Sequence, residues 1–163
     1  MSALSIIAAI GQNRELGKDN DLLWNIPRDM NRFKQMTAGH TVVMGRKTFD
    51  SLWIKPLPKR KNIVLTSSAD LGYSNVQIVH SLPEILDAVK GDGEVFVIGG
   101  AKIYELLLPY CSRMYITYVH STFDADTYFP EFELSQWEEA FREDIVDDSE
   151  AGVNYSFVNL DRI

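Results

Sequence analysis

Five short apolar runs, at residues 4–10, 41–44, 62–66, 76–79 and 94–98, are bounded by turn residues and too brief for helices. Each reads as a strand buried on both faces, which is the mark of a largely parallel sheet. Parallel neighbours need crossover connections, and helix signals lie between the runs. Pro27 opens a segment in which Met30, Phe33 and Met36 fall three apart, one face of a helix. Ser81 and Glu84 have the spacing of a capping box for a helix over 82–90 closed by Gly91. A third helix should follow Gly99-Gly100, turn Ile103, Leu106 and Leu107 inward, and stop at Pro109. The last third changes character. Residues 113–120, 137–145 and 153–161 read as long strands, the last two joined through Ser149-Glu150-Ala151-Gly152, so the sheet ends antiparallel. A chain of 163 residues fits one α/β domain, residues 1–163, with no repeat or linker.

The 16 basic and 23 acidic side chains give a net charge of -7, which repels nucleic acid and anionic membranes. An anionic ligand would therefore need local contacts, a few Arg, Lys and helix N-termini set against an acidic whole. Cys111 has no partner for an intramolecular disulfide, and with three His no metal site is expected. Nothing approaches the ~18 apolar residues of a membrane span, and a cytoplasmic monomer is expected. P-loop, Rossmann-type G-x-G-x-x-G, serine-hydrolase, C-x-x-C and H-E-x-x-H signatures are lacking.

Two strand-to-helix junctions stand out. Val42-Val43-Met44 runs into Gly45-Arg46-Lys47-Thr48, and Val97-Ile98 runs into Gly99-Gly100-Ala101-Lys102. Each glycine either makes a tight turn or lets a phosphate approach free N–H groups, and two such junctions suggest one ligand with several phosphates. The strand end Leu65-Thr66-Ser67-Ser68 adds hydroxyls. Asp29, just inside the Pro27 helix, is either a surface charge complementing the helix dipole, the commoner case, or a side chain turned into a pocket walled by Met30 and Phe33. Residues 11–26 lack strand or helix periodicity, and a loop that long in a small domain is usually functional.

Five segments together closely resemble the successive motifs of bacterial dihydrofolate reductases, in order and along essentially the whole chain. They are Trp24-Asn25-Ile26-Pro27-Arg28-Asp29, Val43-Met44-Gly45-Arg46-Lys47-Thr48-Phe49-Asp50-Ser51, Pro56-Leu57-Pro58-Lys59-Arg60-Lys61-Asn62-Ile63-Val64-Leu65, Ile98-Gly99-Gly100-Ala101-Lys102-Ile103-Tyr104 and Asp126-Thr127-Tyr128-Phe129-Pro130. The resemblance implies a mixed, mostly parallel eight-stranded sheet with flanking helices and an antiparallel C-terminal hairpin. It implies NADPH-dependent reduction of 7,8-dihydrofolate, with dihydrofolate and antifolate-type molecules as ligands.

By the same resemblance, NADPH would meet Gly45, Arg46, Lys47 and Thr48 at one junction and Ile98, Gly99, Gly100, Ala101, Lys102, Ile103 and Tyr104 at the other. Leu65, Thr66, Ser67 and His80 would line the adenosine end, with Thr127 a further contact. Ala9, Leu16 and Gly17 would meet the nicotinamide, and Asn20 and Leu22 would close over it, making residues 11–23 a lid. On the folate side Ile7, Ala8, Met30 and Phe33 would wall the pteridine, Leu52 and Leu57 would pack on the aminobenzoyl part, and Arg60, assisted by Lys34, would clamp the glutamate tail. Asp29, Leu22, Trp24 and Thr117 form the implied catalytic group, with Thr117 supporting Asp29 and burial raising the Asp29 pKa.

The chain departs from the family pattern at Leu23, where proline is common, at Trp53-Ile54-Lys55, one residue longer than in many relatives, and at Lys59, where glycine is frequent. A related pyrimidine reductase and a regulatory nucleotide-binding module are the competing expectations, and Asp29 after Trp24-Asn25-Ile26-Pro27 speaks against the first.

Overall fold

The computed structural model describes residues 3–18 and 21–163, with backbone alone at 21 and 22. In chain order its strands are β1 (Ala3–Ile10), β2 (Glu15–Lys18), β3 (Asp21–Leu22), β4 (Thr41–Gly45), β5 (Lys61–Leu65), β6 (Val76–Val79), β7 (Glu94–Gly99), β8 (Cys111–Val119), β9 (Thr127–Tyr128), β10 (Trp137–Ile145) and β11 (Tyr155–Arg162). The helices are α1 (Pro27–Thr37), α2 (Arg46–Ser51), α3 (Leu82–Ala88) and α4 (Ala101–Leu107). Eight strands make the main sheet in the order β10-β11-β8-β1-β7-β4-β5-β6. Every pair from β8 to β6 is parallel, and β11 runs antiparallel to both β8 and β10. This is the expected fold class.

Alternation along the central strands divides the core between two faces. Ile6, Val43, Ile63, Val95 and Val97 pack with Ile85 of α3 and with Ile103 and Leu107 of α4. Val42, Met44, Val64 and Phe96 point the other way, onto Phe49 of α2, with Met36 of α1 packed against them. Both faces are thus covered, which is why these strands read as continuous apolar runs. β6 is the exception: it is one edge of the sheet, and only Val79 of its four residues is buried.

The α3 cap forms as its sequence predicts, the Glu84 N–H donating to Ser81 Oγ at 3.3 Å, although the helix ends at Ala88 rather than 90. Pro109 falls in a 3₁₀ turn, Leu108–Tyr110, that ends α4.

Residues 11–26 are not structureless. β2 and β3 lie within them and pair with β9 in a separate sheet of order β3-β2-β9. Two strands of four and two residues are too short to leave a period in the sequence.

Candidate active site

β7 lies between β1 and β4, so the junctions that leave β4 for α2 and β7 for α4 are side by side. A Cβ on Gly100 would sit 3.6 Å from Thr48 Oγ1, and one on Gly45 would press to 3.0 Å against Ile103. Gly99 has φ +120, a conformation L side chains rarely adopt. The two backbones therefore form one small cradle. At its outer end Arg46 donates from Nη1 to Ser68 Oγ at 2.9 Å and from Nε to Asp50. Ser67, the expected cofactor contact, is exposed beside this pair. His80 caps the same strand ends, its ring nitrogen 2.7 Å from the Thr66 carbonyl. Lys47 and Lys102 are exposed.

On the other side of β1 lies the Asp29 wall. Pro27 at the first helical position starts α1 without a side-chain cap and sets Asp29 in its first turn. Thr117, buried in β8, donates from Oγ1 to Asp29 Oδ1 at 2.6 Å. Burial pushes the Asp29 pKa up; the Thr117 bond and the Arg32 charge pull it back only in part. Tyr104 reaches across from α4 to donate to the Ile7 carbonyl at 2.8 Å, tying the cradle to β1. Phe33 is partly buried, whereas Met30 is 51% exposed, so the wall has an open apolar side.

A guanidinium stands at the end of α1. Arg60 donates from Nε to the Pro58 carbonyl and from Nη1 to Thr37 Oγ1 at 3.0 Å. Thr37 in turn donates to the Phe33 carbonyl, which fixes the guanidinium against the end of α1. Leu52 and Leu57 pack beside Phe49 and Met36, partly buried. Strand β2 brings Gly17 opposite Thr127 of β9, and the Trp24 ring lies 5.0 Å from that of Phe123, tilted by 53°. Asn20 lies outside the described residues, as does the side chain of Leu22.

The family model described as dihydrofolate reductase matches residues 3–162. The chain belongs to the dihydrofolate reductase family. A Bacillus subtilis dihydrofolate reductase is 44% identical over 98% of this chain and 94% of its own, and one from Staphylococcus haemolyticus is 36% identical over 98% and 96%. A dihydrofolate reductase structure from Enterococcus faecalis, complexed with NADP(H) and RAB-propyl, matches with a TM-score of 0.90 at 35% identity, over 98% of this chain and 96% of that one.

Against the dihydrofolate reductase pattern, Lys59 stands where glycine is frequent, and its φ of +59 is a left-handed conformation that glycine adopts at no steric cost. Trp53 and Ile54 of the longer loop are exposed, Trp53 fully. Two supporting residues escape a reading of the sequence. Thr37 carries no motif signal. Glu15 looks like a solvated loop charge, yet it is 1% exposed and accepts the N–H groups of Asn13 at 2.6 Å and Phe123 at 2.7 Å. Among the described residues no group of three or more metal-ligating side chains comes together, and no helix is long and apolar enough to cross a membrane.

Proposed function

We propose that this chain carries out its family's reaction, NADPH-dependent reduction of 7,8-dihydrofolate to 5,6,7,8-tetrahydrofolate, with the Asp29 carboxylate biasing N5 toward protonation. The observation that carries the reading is the Thr117–Asp29 bond of 2.6 Å in a partly buried wall beside the glycine cradle. Asp29 accepts from N3 and the 2-amino group of the pteridine. A carboxylate there favours added positive charge on the ring, so N5 is easier to protonate as C6 accepts hydride. Thr117 orients the carboxylate and leaves its second oxygen for the substrate. Ile7, Ala8, Met30 and Phe33 exclude water from one side of the ring, and Arg60 binds the glutamate carboxylate, for which a planar fork suits better than an ammonium.

NADPH, when bound, supplies the hydride from C4 of its nicotinamide. The cradle of Gly45, Gly99 and Gly100 has room for backbone contact with phosphate, and Arg46 stands ready for the 2'-phosphate. Leu16, Gly17 and Ala9 meet the nicotinamide end, and β2 serves as the lid. A cytoplasmic location belongs to the same reading.

The test follows the ultraviolet absorbance of NADPH with and without dihydrofolate, and repeats it with NADH. Consumption should require dihydrofolate and favour NADPH. Arg46→Ala should weaken NADPH on the order of tenfold, the value of one exposed charge-assisted bond, and leave NADH nearly unchanged. Cofactor loss that ignores dihydrofolate rejects the reading; equal losses with both cofactors reject the role of Arg46.

A further inference from the structure

The sheet face under α1 carries a second charge near Asp29. Thr117 and Tyr115 of β8 stand opposite Phe157 and Asn159 of β11, so all four project to that face. Arg32, one turn beyond Asp29, lays its guanidinium over the buried Phe157 ring at 4.3 Å and donates from Nη2 to Asn159 Oδ1 at 2.9 Å. Arg28, 5.9 Å from the same ring, is neutralised by Glu143 at 2.8 Å. Arg32 makes no direct ion pair among the described residues, and its charge is left to act through space.

We propose that Arg32 is a positioning residue for the reduction: stacked on Phe157 and tied to Asn159, it supplies the fixed positive charge against which the Asp29 carboxylate works. The proposal rests on the reading of Asp29 above. Among the described residues the other ionisable groups around this wall are Tyr115 on β8, bonded to Arg113 and Glu94, Tyr155 on β11, bonded to Asp148, Tyr104 on α4, and the paired Arg28 and Glu143. Burial raises the pKa of all three tyrosines, so they stay neutral across the working range. Arg32 is the charge that opposes the effect of burial on Asp29. Without it, the carboxylate would take up its proton at higher pH, and the ionised form that engages the pteridine would be lost sooner as pH falls.

The measurement is a carbon-13 NMR titration of aspartate-labelled enzyme with NADP bound, the Asp29 signal assigned by its absence in Asp29→Asn. Arg32→Gln should move the Asp29 midpoint upward by about half a pH unit or more, less than the full effect of a charge in contact. The acid limb of kcat/KM for dihydrofolate should move with it, and Arg32→Lys, which keeps the charge, should leave the midpoint close to that of wild type. A role confined to packing would lower stability or kcat alike at every pH and leave the midpoint in place; that result overturns the proposal. If Arg32→Gln does not fold, Asn159→Ala, which releases the guanidinium, should move the midpoint the same way, and an unmoved midpoint there is equally fatal. If the midpoint moves while Asp29→Asn retains normal turnover, the charge coupling stands and the catalytic reading of Asp29 is what fails.

Discussion

Asp29 beside Thr117 and Glu15 in the small sheet are both carboxylates held away from bulk water, yet their surroundings shift them in opposite directions. At Asp29 burial is the largest influence and its direction prevails, because the one bond offered is the Thr117 hydroxyl. At Glu15 burial is again the largest single influence and again raises the pKa, but three backbone N–H groups, its own and those of Phe123 and Asn13, together outweigh it and the pKa ends low. A carboxylate with a spare oxygen and a raised pKa is poised to respond to a ligand. One whose oxygens are taken by the main chain is a fastener. The large sheet positions the first rigidly; the second holds a small sheet in place.

The comparison breaks most visibly at Asp29→Asn. The amide keeps the shape and the Thr117 bond but loses the charge, so single-turnover hydride transfer at neutral pH should fall by roughly 10²- to 10⁴-fold. Acid should restore it, because solvent then protonates the substrate directly. Stability should move the other way. A carboxyl whose folded pKa lies above its unfolded value costs the fold stability as pH rises through that folded pKa, so the neutral amide should be more stable than wild type at pH 7. A variant with near-normal hydride transfer at neutral pH would reduce Asp29 to a helix-end charge.

Glu15→Gln should show the reverse pattern, little change in chemistry and a loosened lid. The amide nitrogen of glutamine faces a backbone donor, leaving one N–H unsatisfied at about 1–3 kcal/mol, or roughly 10- to 100-fold faster exchange of the Phe123 and Asn13 amides. In the wild type this anchoring is present above the ~4.3 of a free glutamate and is lost as pH falls through the lowered folded value. Gly11 belongs to the same fastening, since a Cβ there would lie 2.6 Å from Glu15 Oε1. Unchanged exchange at both amides would remove Glu15 from the lid.

The two regions also differ in how much of them was legible in the sequence. The central strands and the starts of α1, α2 and α4 announce themselves through apolar runs, Pro27 and the glycines, because those signals are local. Asp29 is visible as a residue but its role depends on Thr117, 88 positions away. Arg32 is further hidden, since it is fixed by the Thr117–Phe157 register of two strands far along the chain. Strands β2 and β3 are shorter than any period, and Glu15, buried in β2, accepts the N–H of Phe123, which is 108 positions away.

Arg60 sharpens the same contrast with a charge that its neighbours orient. Its bonds to Thr37 and Pro58 leave donors of the guanidinium fork free for a carboxylate. Arg60→Ala should raise the KM for dihydrofolate by about tenfold and leave kcat nearly unchanged, because the tail contact is the same in ground and transition states. A pteridine without the glutamate should not notice the change. An equal loss on that truncated substrate would take the carboxylate away from Arg60.

The smallest effect expected is at Lys59, and it separates the shape of the Arg60 turn from its charge. The Lys59 carbonyl accepts the Gly39 N–H at 3.2 Å, closing the turn against the end of α1 with φ held at +59. A left-handed backbone costs an L residue about 1–2 kcal/mol, and glycine there forgoes that cost while losing about 0.5–1 kcal/mol through greater freedom when unfolded. Lys59→Gly should therefore stabilise the fold by about 0.5–1 kcal/mol, a rise in Tm of roughly 1–4 °C for a domain of this size. Because the backbone is already the one glycine favours, Arg60 should keep its aim and the KM for dihydrofolate should not change. A lower Tm would mean that the lysine side chain contributes more than its backbone costs. A raised KM at unchanged Tm would mean that its charge, not the turn, assists the tail of the substrate.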